Sequence, residues 1–124
     1  MIRRTLESRL KRAAEMYPVV TLTGPRQSGK TTLARHAFPS HDYVSLEAPD
    51  QQSFALEDPR GFLDQFPQKA VLDEVQRVPS LFSYIQTLVD SEDVPGRFIL
   101  TGSQNFLLLQ TISQTLAGRC AILH

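Results

Sequence analysis

A glycine-rich loop that ends in a lysine and two threonines is the segment of this chain best suited to chemistry. It has the pattern Gly-x-x-x-x-Gly-Lys-Thr, with glycines at Gly24 and Gly29 and the lysine at Lys30. A β-branched apolar run precedes the loop and a helix-forming segment follows it, which is the context that a phosphate-binding loop needs. Glycine permits backbone conformations in which successive N–H groups face phosphate oxygens. The loop therefore predicts binding of a nucleoside triphosphate, and a glycine-rich turn that matches by chance is the alternative.

Different residues of the loop are expected to bind the phosphates and the magnesium ion of the nucleotide. Lys30 is predicted to reach the β- and γ-phosphates, and the Thr31 hydroxyl to ligate Mg²⁺. The positive amino end of the following helix points at the same phosphates. The full set of candidate cofactor-binding residues is Gly24, Pro25, Arg26, Gln27, Ser28, Gly29, Lys30, Thr31 and Thr32.

Two adjacent carboxylates, Asp73 and Glu74, close a short apolar run that begins at Lys69. Ligands of parallel sheets gather at the carboxyl ends of the strands, so these acids are predicted to lie beside the phosphates. Asp73 is then the candidate Mg²⁺ ligand, mostly through water, because Mg²⁺ keeps part of its hydration shell. Glu74 is the candidate that orients or deprotonates the water attacking the γ-phosphate. An exposed acidic turn between two elements is the alternative.

Small polar residues follow the next apolar strand, at Thr101 and Ser103. Either hydroxyl could bond the γ-phosphate or the attacking water, although Ser103 could equally serve only as a cap for the following helix. Arg119 is the third catalytic candidate, as an arginine finger that acts on the γ-phosphate of a neighbouring subunit. Its alternative is a surface arginine after the helix-terminating Gly118.

Hydrophobic periodicity places these residues among alternating strands and helices. We predict helices over 5–16, 30–37, 80–90 and 104–116, two short helical turns within 49–67 that are separated at Pro59, and strands over 18–23, 42–46, 69–73, 97–101 and 121–124. Ser80 is the expected cap of its helix, and strand 42–46 is expected at a sheet edge. The alternation is typical of an α/β domain with a parallel sheet and helices on both faces.

Length, charge and cysteine content limit the function further. A chain of 124 residues has room for one domain, residues 1–124, in which the helix within 1–17 precedes the core. Thirteen basic and thirteen acidic residues give no net charge, so there is no global attraction to nucleic acid or membrane. The single Cys120 offers no intramolecular disulfide, and the chain has neither a secretory signal nor a membrane-spanning run. These features predict a cytoplasmic protein.

In combination, the motifs resemble the AAA+-type ATP-binding domain of a large group of bacterial and archaeal ATPases, which usually carry a further C-terminal domain of unknown function. The segments that carry the resemblance cover nearly the whole chain: residues 22–33, 43–47, 58–63, 72–76, 99–104 and 116–119. The Asp-Glu-x-Gln and Thr-Gly-Ser-Gln strings, in this order, are its most particular features.

This resemblance implies a three-layer P-loop fold with five parallel strands, in which the phosphate-loop strand lies between the fourth and fifth strands. It also implies ATP and Mg²⁺ as cofactors, residues 24–32 as Walker A, Asp73 and Glu74 as Walker B, Ser103 as the γ-phosphate sensor and Arg119 near the finger position. Members of the group continue into a helical lid, whereas this chain ends within its fifth strand. We therefore expect a truncated core with weak or absent hydrolysis.

A second hypothesis comes from another functional class. The chain would be a nucleotide-gated interaction or oligomerisation module without significant catalysis, whose partner surface includes Arg119. A small-molecule kinase is disfavoured because it needs an arginine-rich lid and an acceptor-binding region. A nucleic-acid role for a longer parent protein stays open, although the neutral charge gives it no support.

Overall fold

A parallel β-sheet organises the computed structural model, which describes residues 2–25, 29–103 and 106–123, without the side chains of residues 2, 3, 106–109 and 113. The strands of the described chain are β1 (Val19–Thr23), β2 (Asp42–Ser45), β3 (Ala70–Asp73), β4 (Phe98–Gly102) and β5 (Cys120–Leu123). The helices are α1 (Ile2–Met16), α2 (Lys30–Ala37), α3 (Pro49–Glu57), α4 (Pro59–Asp64), α5 (Leu81–Ser91) and α6 (Phe106–Thr115), with a 3₁₀ turn at Val75–Arg77.

The strand order β2-β3-β4-β1-β5 confirms the arrangement that the resemblance implied. Strand β1 pairs in parallel with β4 on one side and with β5 on the other, so Val19 lies opposite both Phe98 and Cys120. Strand β2 lies at an edge, as predicted, and pairs only with β3 among the described strands. Because the strands are parallel, the segments that leave β1, β3 and β4 emerge at one edge of the sheet.

Two apolar cores, one on each face of the sheet, make the fold three-layered. Successive residues of a strand point to opposite faces, so Val19 joins one core and Val20 the other. Helices α1 and α2 cover the Val20 face, through residues such as Leu10 and Leu33. Helices α3 to α6 cover the other face, with Phe62 among the largest buried side chains. Burial of both faces explains why the strands are nearly continuous apolar runs.

The helices depart from the predicted bounds in a few places. Helix α1 begins at Ile2 rather than residue 5, and α6 is described from Phe106, since Gln104 lies outside the described residues. The spacing of Phe106, Leu107 and Leu109 predicts that they point inward, but their side chains lie outside the described part of the structure. Ile112 of the same helix is buried. The break at Pro59 is confirmed, and Asp58 caps α4 by accepting a 3.0 Å bond from the Gly61 N–H.

The predicted cap at Ser80 is wrong. Ser80 has helical backbone angles, φ −63° and ψ −18°, and makes no side-chain capping bond. A capping hydroxyl normally belongs to a residue with extended backbone angles, from which its oxygen can accept a hydrogen bond from an N–H group in the first turn of the helix. Here the preceding turn provides acceptors instead, because the Leu81 N–H bonds the Val78 carbonyl at 3.1 Å and the Phe82 N–H bonds the Pro79 carbonyl at 3.2 Å.

Candidate nucleotide-binding site

The carboxyl edge of the sheet brings together the candidate residues of three separate segments. The Thr31 hydroxyl donates to Asp73 Oδ1 at 2.8 Å, and Lys30 Nζ lies 3.4 Å from Glu74 Oε1. The Glu74 N–H in turn donates to Thr101 Oγ1 at 3.3 Å. These contacts join residues that are 27 to 44 positions apart in the sequence.

The loop after β1 is described at its two ends, Gly24 and Gly29. The Gly24 N–H bonds the Gly102 carbonyl at 3.2 Å, which ties the start of the loop to β4. Gly29 has a φ of +83°, a left-handed conformation that glycine adopts without strain. Among the described residues other than its chain neighbours, no atom lies within 4 Å of where its Cβ would be. Helix α2 begins at Lys30, so the N–H groups of its first turn face the same space.

The other loop candidates stand as follows. Arg26, Gln27 and Ser28 lie outside the described residues. Pro25 is exposed beside Gly24, and Thr32 is exposed on the first turn of α2. The conformation of Gly29 and the N–H groups in the first turn of α2 together suit a phosphate group.

Asp73 is held by hydroxyl donors on both of its carboxylate oxygens. Thr31 and Thr101 donate to Oδ1, and the Tyr43 hydroxyl donates to Oδ2 at 2.9 Å. Since the Thr31 hydrogen is directed at Asp73, the lone pairs of its oxygen are left for a cation. A hydroxyl oxygen and a carboxylate are hard oxygen ligands of the kind that Mg²⁺ prefers, so the donor set fits that ion.

Glu74 has an unusual backbone conformation and a buried charge. Its φ of +61° and ψ of +49° make it the one non-glycine residue of the described chain with positive φ. That conformation costs an ordinary side chain about 1–2 kcal/mol, and such strain is concentrated at functional positions. Its carboxylate contacts Lys30 through Oε1 and accepts a 2.6 Å bond from Gln76 Nε2 through Oε2.

Gln76 connects the acid pair to the segment after β4. Besides donating to Glu74, its carboxamide oxygen accepts a 3.4 Å bond from the Ser103 N–H. Ser103 is half-buried at the edge of the site, so a role as phosphate sensor stays a prediction. Thr101 is fully buried, and its hydroxyl donates to the Asp73 carboxylate and accepts from the Glu74 backbone N–H. Thr101 is therefore a structural partner of both residues.

Tyr43 and Gln76 are site residues that sequence reasoning did not single out. Both lie within the segments that carry the family resemblance, which was the only available signal. Burial, together with the hydrogen bond to Asp73 and its charge, raises the pKa of Tyr43 to about 12, while the nearby Arg35 opposes the shift. The Tyr43 hydroxyl therefore remains a protonated donor at neutral pH.

Arg119 lies at the opposite, amino edge of the sheet. It directly precedes β5, and its carbonyl accepts a 3.2 Å bond from the Val19 N–H at the start of β1. Its guanidinium pairs with Asp90 and also donates to the Ala117 carbonyl at 2.9 Å. The length of β1 separates it from the phosphate loop of its own chain, so a finger role requires a neighbouring subunit.

Comparison with known proteins points to one family. A family model described as an AAA domain matches residues 16–124. Uncharacterised proteins of Mycobacterium bovis and Mycobacterium tuberculosis are 39% identical over 123 residues, and the chain spans 28% of their length.

Two solved structures share the fold. A Walker-type ATPase of Pyrococcus abyssi superposes with a TM-score of 0.62 at 18% identity, over 98% of this chain and 53% of that one. A DNA replication initiation factor gives 0.56 at 16% identity, over 98% of this chain and 44% of that one. At these identities the likeness extends to the fold alone. No helix in the described part of the chain has the length and apolar character to cross a membrane.

Proposed function

Because this chain belongs to the AAA domain family, we propose that it is the ATP-binding core of a Mg²⁺-dependent ATPase. Residues 1–124 would form a single nucleotide-binding domain, in which α1 precedes the core. Since the chain spans 28% of its mycobacterial relatives, we assign turnover to the longer protein and expect weak or absent hydrolysis from this chain alone. The observation that carries the proposal is the meeting of Lys30, Thr31, Asp73 and Glu74 at one edge of the sheet.

In this proposal, the Lys30–Glu74 ion pair exchanges partners when a triphosphate binds. The β- and γ-phosphates offer the Lys30 ammonium more negative charge than one carboxylate does, so Lys30 turns to them. Glu74 remains held by Gln76 and is free to accept a proton. Mg²⁺ held by Thr31 and Asp73 would neutralise charge on the phosphates.

Hydrolysis then needs one water and one base. The water oxygen bonds to the γ-phosphorus as its proton passes to Glu74, and the bond from that phosphorus to the β–γ bridging oxygen breaks. ADP and phosphate are the products. Ser103 would report the γ-phosphate through its link to Gln76.

A second candidate function is a nucleotide-gated interaction module without significant catalysis. The position of Arg119 favours it, because that side chain lies at the edge opposite its own phosphate loop. In such a module, Arg119 would contact the nucleotide of a second copy or a partner protein. Nucleotide-dependent light scattering distinguishes the two: a mass that rises with ATP in a non-hydrolysing longer protein supports the module.

Binding of a fluorescent ATP analogue in the presence of Mg²⁺ tests the primary proposal. Wild-type chain and the control Lys69→Ala, which alters an exposed lysine at the amino edge of β3, should bind saturably. Lys30→Ala should lose binding while it keeps its far-UV circular dichroism spectrum. Equal binding by folded Lys30→Ala, or none by folded wild type, would contradict the proposal.

Turnover is tested on the longer protein. Glu74→Gln should lower ATP hydrolysis on the order of a hundredfold or more, since the general base is removed. Nucleotide binding should persist, because the loop and Lys30 are unchanged. Equal turnover by wild type and Glu74→Gln would assign any hydrolysis to another source.

A further inference from the structure

The Asp73 carboxylate is fixed from three different elements. Helix α2 supplies Thr31 and strand β4 supplies Thr101, both to Oδ1, while the edge strand β2 supplies Tyr43 to Oδ2 at 2.9 Å. The two threonines act on the same oxygen, Oδ1. Only the tyrosine fixes the other oxygen among the described contacts, so it determines how the plane of the carboxylate is turned.

The Tyr43 ring is itself held against the helix that carries the phosphate-binding residues. The Arg35 guanidinium lies 4.2 Å from the centre of the ring. Arg35 follows Thr31 by four residues, which places the two on one face of α2. The backbone of Tyr43 is fixed by strand pairing, since Tyr43 in β2 lies opposite Val71 in β3, two residues before Asp73. The ring therefore connects α2 to the metal-binding end of β3.

We propose that Tyr43 is a positioning residue of the magnesium site, which orients Asp73 toward the water ligands of the ion. The proposal rests on the proposed function and deepens it. Outer partners that orient a metal-binding group usually change metal affinity or activity by 10- to 100-fold when they are removed. The opposing view is that Tyr43 only stabilises an edge strand, in which case its hydroxyl would leave the metal dependence unchanged.

Tyr43→Phe removes the hydroxyl and keeps the ring beside Arg35. We expect the Mg²⁺ concentration that half-saturates binding of the fluorescent ATP analogue to rise 10- to 100-fold. In excess EDTA, the affinity of this variant for the analogue should equal that of wild type, because the loop and Lys30 are unchanged. Tyr84→Phe, which alters a half-buried tyrosine of α5 away from the site, should match wild type under both conditions.

A double variant checks that the effect passes through Asp73. Asp73→Asn should itself raise the half-saturating Mg²⁺ concentration. Adding Tyr43→Phe to that variant should raise the concentration by less than a further twofold, because both changes act on one carboxylate. Additive losses would overturn the proposal.

The remaining outcomes are equally decisive. A half-saturating Mg²⁺ concentration for Tyr43→Phe within twofold of wild type would overturn the inference while the proposed function stands. So would an equal loss of affinity in EDTA and in Mg²⁺, which marks a general structural defect. Wild-type binding that does not depend on Mg²⁺ would overturn the metal site in the proposed function and this inference with it.

Discussion

The buried pair formed by Lys30 and Glu74 allows a quantitative test on unliganded protein. Three variants are needed: Lys30→Met, which keeps the aliphatic stem, Glu74→Gln, which keeps the shape of the side chain, and the combination of both. The prediction is that each single change destabilises the fold strongly, whereas the double change costs no more than one of them.

The expected magnitude follows from the distance and the burial. The charges lie 3.4 Å apart, and the two side chains are 6% and 7% exposed. Their attraction is about 5 kcal/mol at an effective dielectric constant of about 20, but removing each ion from water costs several kcal/mol. The intact pair therefore contributes little net stability, while one charge left without its partner costs about 3–5 kcal/mol.

Two features place the single variants near the lower end of that range. Glu74 keeps the hydrogen bond from Gln76 when Lys30 is replaced. Lys30 has a flexible stem that can carry its ammonium toward water in the Glu74→Gln variant. We expect losses of about 3 kcal/mol for each single variant and no more than about 3 kcal/mol for the double variant, so the interaction energy is at least about 3 kcal/mol.

Urea unfolding followed by far-UV circular dichroism is the appropriate assay, because the chain has no tryptophan. For m-values of about 1–3 kcal/mol/M, a loss of 3 kcal/mol lowers the midpoint by roughly 1–3 M. The exposed control Lys69→Met should change the free energy of unfolding by less than about 0.5 kcal/mol. Losses that add within about 0.5 kcal/mol would refute the coupling, and with it the contact in solution.

Three further predictions concern groups outside this pair. The His41 ring bonds the Gly96 carbonyl, and burial lowers the pKa of this histidine. Below pH 6.5, the imidazole therefore takes up a proton more readily in the unfolded chain than in the folded chain. Thermal melts should therefore show stability falling from pH 7 toward pH 5, and His41→Gln should flatten that dependence. Burial raises the pKa of the Cys120 thiol to about 11. At pH 8, the thiol should therefore react with a disulfide reagent on the order of a hundredfold more slowly in folded than in urea-unfolded protein. Equal rates in the two states would contradict this prediction. Arg119→Ala should lower the free energy of unfolding in urea by less than about 1 kcal/mol, because the pairing of Arg119 with Asp90 is exposed. The same change should leave nucleotide binding by the single chain unchanged. Reduced turnover in an assembled longer protein would support the finger role.

The sequence was sufficient for the parts of the site that depend on local pattern. The loop from Gly24 to Thr32 has a fixed spacing, and an apolar run identifies the strand before it. Asp73 and Glu74 close a strand, and parallel strands deliver their ends to a common edge, so their approach to Lys30 followed from general topology. The order of the strands came from the family resemblance, since periodicity alone does not specify which strands are neighbours.

Contacts between distant segments could not be predicted in the same way. Tyr43 precedes Asp73 by 30 residues, and a tyrosine in a half-exposed strand has an ordinary β preference. The left-handed conformation of Glu74 is imposed by its surroundings, since glutamate has no intrinsic preference for it. At Ser80 the local capping preference was overridden by the preceding turn.

The ion pair between Lys30 and Glu74 links nucleotide binding to chemistry in the proposed function. In the proposed function, a phosphate recruits Lys30 and a water meets Glu74, yet each of these residues is the ionic partner of the other. A ligand that draws Lys30 away would therefore also release Glu74 as the proposed base. Gln76 keeps the released carboxylate in place, and its second bond reaches Ser103, beside the position proposed for the γ-phosphate. These contacts would thus make Glu74 available as the proposed base only when a phosphate has taken Lys30.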